Sequence, residues 1–236
     1  IQMRGAAHAQ GSIAAGKPDQ ARLQVAIPRF SAAPLQAPGQ VLFEGNAMTL
    51  DLAGDARLEK LKEGARAHLR FNDARVPDLA RYNRYLRDEP LQLLGGSGLL
   101  SGDVELDATG RVGTGHADLR GQQARLQLAG IAMRGNARLQ ARLRRADFDS
   151  RQFDLDGTTL RLQEVRIGDG TDSNWWGEVA IRKGHLGAAA PWRAEAVAGL
   201  ELRDAGPLLD VFGERSAYPR WVLGLIDSGQ VQATGQ

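Results

Sequence analysis

From Ala21 onward the chain alternates apolar and polar residues in segment after segment, and no other feature narrows its fold as much. Leu23, Val25 and Ile27 alternate with Arg22, Gln24 and Ala26 until Pro28. Leu126 and Leu128 alternate with Arg125 and Gln127, then Leu139, Ala141 and Leu143 with Arg138, Gln140, Arg142 and Arg144. Leu160, Leu162, Val165 and Ile167 continue the pattern with one slip, which predicts a bulge. Trp176, Val179 and Ile181 form a further run, and 194–202 closes the set. A period of two sends successive side chains to opposite faces of a strand. The expected fold is therefore mainly β: an elongated, curved antiparallel sheet, groove- or taco-like and partly solenoidal, apolar on one face only.

Between these runs the chain carries turn signals. Gly45-Asn46 separates 41–43 from 48–52, Gly135-Asn136 punctuates a later run, and Gly95-Gly-Ser-Gly98 reads as a flexible turn. Residues 1–20 are small and show little periodicity, so they are expected to be irregular. Residues 21–201 form the β repeat region, and 202–236 begin a second unit. The division rests on a duplication. Phe71-Asn-Asp-Ala-Arg-Val-Pro-Asp-Leu79 is echoed by Leu202-Arg-Asp-Ala-Gly-Pro-Leu-Leu209, and Leu100-Ser-Gly-Asp-Val104 by Ile226-Asp-Ser-Gly-Gln-Val231. Such a spacing far exceeds the roughly 20–50 residues of a short solenoid repeat.

Each copy predicts one short amphipathic helix. In the first, over 77–88, Pro77 suits the first helical position and Asp78 favours the positive end of the dipole. Leu79, Tyr82 and Leu86 share a face at helical spacing, and Pro90 stops the element. In the second, over 204–212, Asp204 caps and Gly213 terminates.

Composition narrows the function classes. Net charge is only +2 and no basic block stands out, so nucleic acid is not an expected partner. The absence of cysteine excludes disulfides and thiolate-bound zinc. No apolar run reaches the roughly 18 residues of a membrane span. The ends read as cuts from a longer protein.

No constellation points to catalysis, a metal or a cofactor. His8, His68, His116 and His185 are isolated and lack metal-ligand spacing. Asp169-Gly-Thr-Asp-Ser-Asn174 has oxygen ligands in a row but no closing Glu, so it reads as an acidic turn. Asp147, Asp149, Asp154 and Asp156 bracket Phe148 and Phe153 and leave a glycosidase-type carboxylate pair open, although charged strand ends and turns explain them better. The doublet Trp175-Trp176 puts one ring on each face. The chain is expected not to be an enzyme.

The Asp-Ala-x-x-Pro-x-Leu79 helix start, the Leu100-Ser-Gly-Asp-Val104 strand, the Gly157-Thr-Thr-Leu-Arg-Leu162 segment and Trp175-Trp-Gly-Glu-Val-Ala-Ile181 resemble segments of the AsmA-like family of bacterial envelope proteins, the TamB/YhdP type of repeating β-groove protein. That resemblance implies a periplasmic protein held at the inner membrane by an anchor outside these residues. It also implies an outer-membrane or envelope protein partner, and an apolar groove that shields phospholipid acyl chains between the two membranes. Alternation would place Leu126, Leu128, Leu139, Leu143, Leu160, Leu162, Val179 and Ile181 along that groove as its lipid-lining residues. Strands of about eight residues would span roughly 26 Å, and a dozen of them about 55 Å along the trough. Two other readings remain open: a β-solenoid or sandwich binding carbohydrate or a protein partner at Trp175-Trp176, and a closed structural spacer.

Overall fold

The alternating runs become long extended strands in the computed structural model. It describes residues 2–13, 20–55, 65–86, 91–107, 111–128, 130–147, 149–171, 173–187, 193–203, 206 and 230–235. Twelve strands form one sheet. They are β1 (Gln2–Ile13), β2 (Gln20–Ala33), β3 (Phe43–Asp55), β4 (Arg66–Val76), β5 (Leu91–Asp107), β6 (Val112–Leu128), β7 (Ile131–Asp147), β8 (Gln152–Asp154), β9 (Thr159–Ile167), β10 (Trp175–Gly187), β11 (Arg193–Leu202) and β12 (Gln230–Gly235). All pairs are antiparallel, and neighbours in sequence are neighbours in space. The one departure is at β8 and β9. Both lie in succession between β7 and β10, joined by a turn in which Thr158 N donates to Leu155 O at 3.1 Å.

The strands are longer than the turn signals imply. β5, β6 and β7 each run 17 residues, roughly 56 Å. Gly45-Asn46 and Gly135-Asn136 do not turn the chain; they lie inside β3 and β7. The same holds for Gly95-Gly-Ser-Gly98, which sits within β5. At Gly45-Asn46 the ladder runs on in register, and at the other two it absorbs an extra residue instead of reversing. Register slips between Phe71 and Ala74, between Leu93 and Ser97, and between Gly121 and Ala124. Asp73, Gln123 and Glu164 take φ of 52°, 49° and 53° at such slips, and Ala47 takes 58° in β3, whose register is unbroken. Glu164 lies at the slip that the sequence signals between Leu162 and Val165. Pro28 sits inside β2, between the Ile27–Met48 and Arg29–Asn46 pairs. On its other side the β1–β2 register slips between Ala6 and His8, so Pro28 lies at a bulge, a strand position that tolerates a residue without an N–H. Residues 2–13, expected to be irregular, form β1.

The first helix is present but is a 3-10 turn over Leu79–Tyr85. Asp78 caps it, its carboxylate accepting from Ala80 N at 2.9 Å. With three residues per turn, Leu79, Tyr82 and Tyr85 align, so Leu86 drops off the expected stripe and is exposed. Leu79 is buried against Val76 and Ala124. The helix is tied down from both sides. Tyr82 OH donates to Leu42 O at 3.2 Å and Arg81 donates to Val41 O. Asn83 Nδ2 donates to Leu93 O while Leu93 N donates to Asn83 Oδ1, each at 2.7 Å. The second expected helix, over 204–212, lies outside the described residues apart from Gly206. Among the described residues no helix is long and apolar enough to cross a membrane.

Candidate functional site

Directly paired residues of an antiparallel ladder point to the same face, so the register sorts the side chains. One row of pairs runs Ala74–Leu100–Leu119–Leu139–Leu160–Val179–Leu200 across seven strands. Rows on either side read Leu50–Leu69–Val104–Gly115–Leu143 and Val76–Gly98–Gly121–Ala137–Leu162–Gly177–Leu202. None of these positions carries a charged, amide, hydroxyl or imidazole side chain. The opposite face reads Arg75–Leu99–Arg120–Arg138–Arg161–Glu178 and Ser101–Asp118–Gln140–Thr159.

All eight expected lining residues fall on the apolar face, in two groups. Leu126, only 7% exposed, packs with Ile131, Met133, Val165 and Trp175, and Leu128 and Leu162 border that cluster. Beyond the line of bulges at Gln123 and Glu164, the other group is covered less. Leu139, Leu143, Leu160, Val179 and Ile181 are half-buried and belong to no buried cluster. A second buried cluster gathers Phe30, Met48, Phe71 and Ala74, with the Phe43 and Phe71 rings stacked at 5.5 Å. The apolar face is thus buried around its bulges and near the 3-10 helix, and half-open elsewhere.

Sequence reasoning missed Leu100, Leu119, Val104 and Leu106 as members of this face. Their strands interleave them with Gly and Ala, as in Gly113-Thr-Gly-His-Ala-Asp-Leu119, which hides the alternation from a search for large aliphatics. The small residues have a packing reason. A Cβ on Gly102 would meet Phe71 Cε1 at 2.6 Å, and one on Gly113 would meet Leu106 Cδ2 at 2.6 Å.

The polar face is stitched by ion pairs between strands. Arg70 meets Asp51 at 3.1 Å, Arg138 meets Asp118 at 2.6 Å and Arg161 meets Glu178 at 3.7 Å. Their exposure to water and salt keeps each of them weak. Asp118, by hydrogen bonding first and by charge second, pushes the Arg138 guanidinium above its ordinary value. A recess of about 790 Å³ also lies on this face, lined by Ser101, Asp103, His116, Asp118, Arg142 and Arg144 among others. His68 Nε2 is 2.6 Å from Asp103 Oδ1, and His116 lies directly opposite Asp103 on the next strand. Among the described residues no group of three or more His, Asp or Glu could hold a metal ion.

The four clustered aspartates shape turns. Asp147 accepts from Ser150 N at 3.0 Å and Asp149 N at 3.1 Å, and the Ser150 bonds above all hold its carboxyl below the ordinary range. Asp154 accepts from Asp156 N, and Asp156 from Gly184 N at 2.7 Å. Trp175 is buried, while Trp176 lies on the polar side with the Arg161 guanidinium 5.7 Å from its ring centre. No aromatic platform spans the two. No family model, no curated protein and no solved structure matches this chain.

Proposed function

We propose that the chain is a segment of an AsmA-like envelope protein whose apolar sheet face shields lipid acyl chains during phospholipid transfer between inner and outer membranes. The observation that carries this reading is the half-open row Leu119–Leu139–Leu160–Val179–Leu200, which offers no hydrogen-bonding side chain. Backbone N–H and C=O groups within the strands are consumed by the ladders. A sugar or extended peptide laid on such a face would surrender its hydrogen bonds to water, at about 1–3 kcal/mol for each unpaired group. An acyl chain loses nothing of the kind, and each methylene it buries contributes about 0.8 kcal/mol. Contacts of this type are insensitive to chain identity, which suits a conduit better than a selective receptor. The periplasm and an inner-membrane anchor elsewhere in the protein complete the reading.

The test is chemical. Organic extraction of the purified chain, with native mass spectrometry of the intact protein, should recover bound phospholipid. Protein that carries no lipid, and takes up none from phospholipid micelles, would overturn the reading.

A further inference from the structure

Two arginine rows cross the polar face of β6, β7 and β9, and only one of them is neutralised. In the first, Arg120, Arg138 and Arg161 are directly paired, and each has its own carboxylate: Asp73, Asp118 and Glu178. In the second, Arg125 pairs with Arg134 and Arg134 with Arg166. Among the described residues none of these three makes an ion pair. Arg125 donates to Leu94 O at a long 3.4 Å. Like charges placed opposite one another on neighbouring strands destabilise a sheet, so the arrangement is costly unless something anionic occupies it.

A site is built around the second row. Arg134 and Arg166 line a recess of about 470 Å³ together with Gln123, Asn136, Glu164 and Ser173. Its carboxylate, Glu164, is turned to Asn136 Nδ2 at 2.7 Å. That leaves two guanidinium forks, the Gln123 amide and the Ser173 hydroxyl as donors, with Arg125 extending the row over β5. Paired residues on adjacent strands have Cβ atoms about 5 Å apart, so the three arginines spring from a short line across the strands. Guanidinium forks match phosphate oxygens bidentately.

We propose that Arg125, Arg134 and Arg166 bind a linear phosphate-bearing polyanion lying across β6, β7 and β9. A flat lipid surface fits less well. Asp103, Asp118, Glu178 and Glu201 share this face, and an anionic bilayer would have to lie against them. The site is on the opposite face from the acyl-chain row and does not depend on that reading.

Calorimetric titration of the whole chain with tripolyphosphate at low salt tests it. Binding should appear, weaken as salt is added, and fall about tenfold or more in the Arg134→Gln/Arg166→Gln variant. Arg138→Gln, which removes a neutralised cation, should change affinity less than about threefold. The double variant should also melt at the same temperature or about 2 °C higher without ligand, because repulsion is relieved. Three outcomes would overturn the proposal: no tripolyphosphate binding, an equal loss in Arg138→Gln, or binding only to phosphatidylglycerol vesicles.

Discussion

Leu139 stands directly opposite Leu160 on the apolar face, and neither is buried. Leu126 lies on the same face of the same sheet and is almost fully enclosed. The pair separates a half-open stretch of the apolar face from a closed core. In Leu139→Arg the long side chain can run along the apolar surface and lift its charge into water, so the protein should fold with little loss. Leu126→Arg buries an unpaired charge among Met133, Val165 and Trp175, and should lose several kcal/mol. Urea melts of both variants measure the difference. A Leu139→Arg loss as large as that of Leu126→Arg would mean a closed core. Co-purified lipid should fall in Leu139→Arg if the row carries acyl chains.

The alternation made the sheet and its apolar face legible, because a period of two leaves few other ways to bury so many aliphatics. The strand ends were less so. Gly45-Asn46 and Gly135-Asn136 have the composition of hairpin turns, yet cross-strand pairing continues through them, and only partner strands decide between a turn and a strand that runs on. The duplication has a counterpart in the ladder. Leu69, two residues before Phe71, pairs with Val104, and Leu200, two residues before Leu202, pairs with Val231. The arginine rows escaped a sequence reading altogether. Arg125, Arg134 and Arg166 are distant in sequence, and only the register makes them neighbours.

Asn83 should matter more to stability than its place in a short helix suggests. Its amide imitates a strand, giving Leu93 both a donor and an acceptor just where the β5 register slips. Asn83→Ala removes both bonds and should cost about 2 kcal/mol in urea denaturation. Asn83→Asp keeps an acceptor for Leu93 N but cannot donate to Leu93 O, so it should fall between the two. Hydrogen exchange at the Leu93 amide should quicken in Asn83→Ala and much less in Asn83→Asp. Unchanged exchange in both would remove the clasp from the account.

Gly102 is expected to tolerate no side chain. Phe71 covers it, held by Phe30 on its edge at 5.5 Å and by Phe43 stacked at 5.5 Å. The ring therefore has no free direction in which to yield. Gly102→Ala should lower stability by about 1–3 kcal/mol through overpacking. Gly39, in the loop before β3, has nothing within 4 Å of a built Cβ. Gly39→Ala should be neutral or stabilise by up to about 1 kcal/mol, acting on the unfolded chain. Thermal melting of the two variants gives opposite signs if the local packing is as described.

Tyr82 supplies a pH dependence with a defined sign. Burial first, and the neighbouring Tyr85 second, push its phenol from 10.0 up to about 12. The folded protein therefore holds this proton more tightly than the unfolded chain does. Its contribution is fully present below pH 10 and is lost as pH rises toward 12. At the top of that window ionisation also removes the hydrogen that Tyr82 OH donates to Leu42 O, loosening the helix from the loop it ties down. Stability measured by urea melts should fall between pH 10 and 12. In Tyr82→Phe the protein should start less stable at pH 8, having lost that hydrogen bond, and decline less steeply above pH 10. Parallel curves for the two proteins would assign the alkaline loss to other groups.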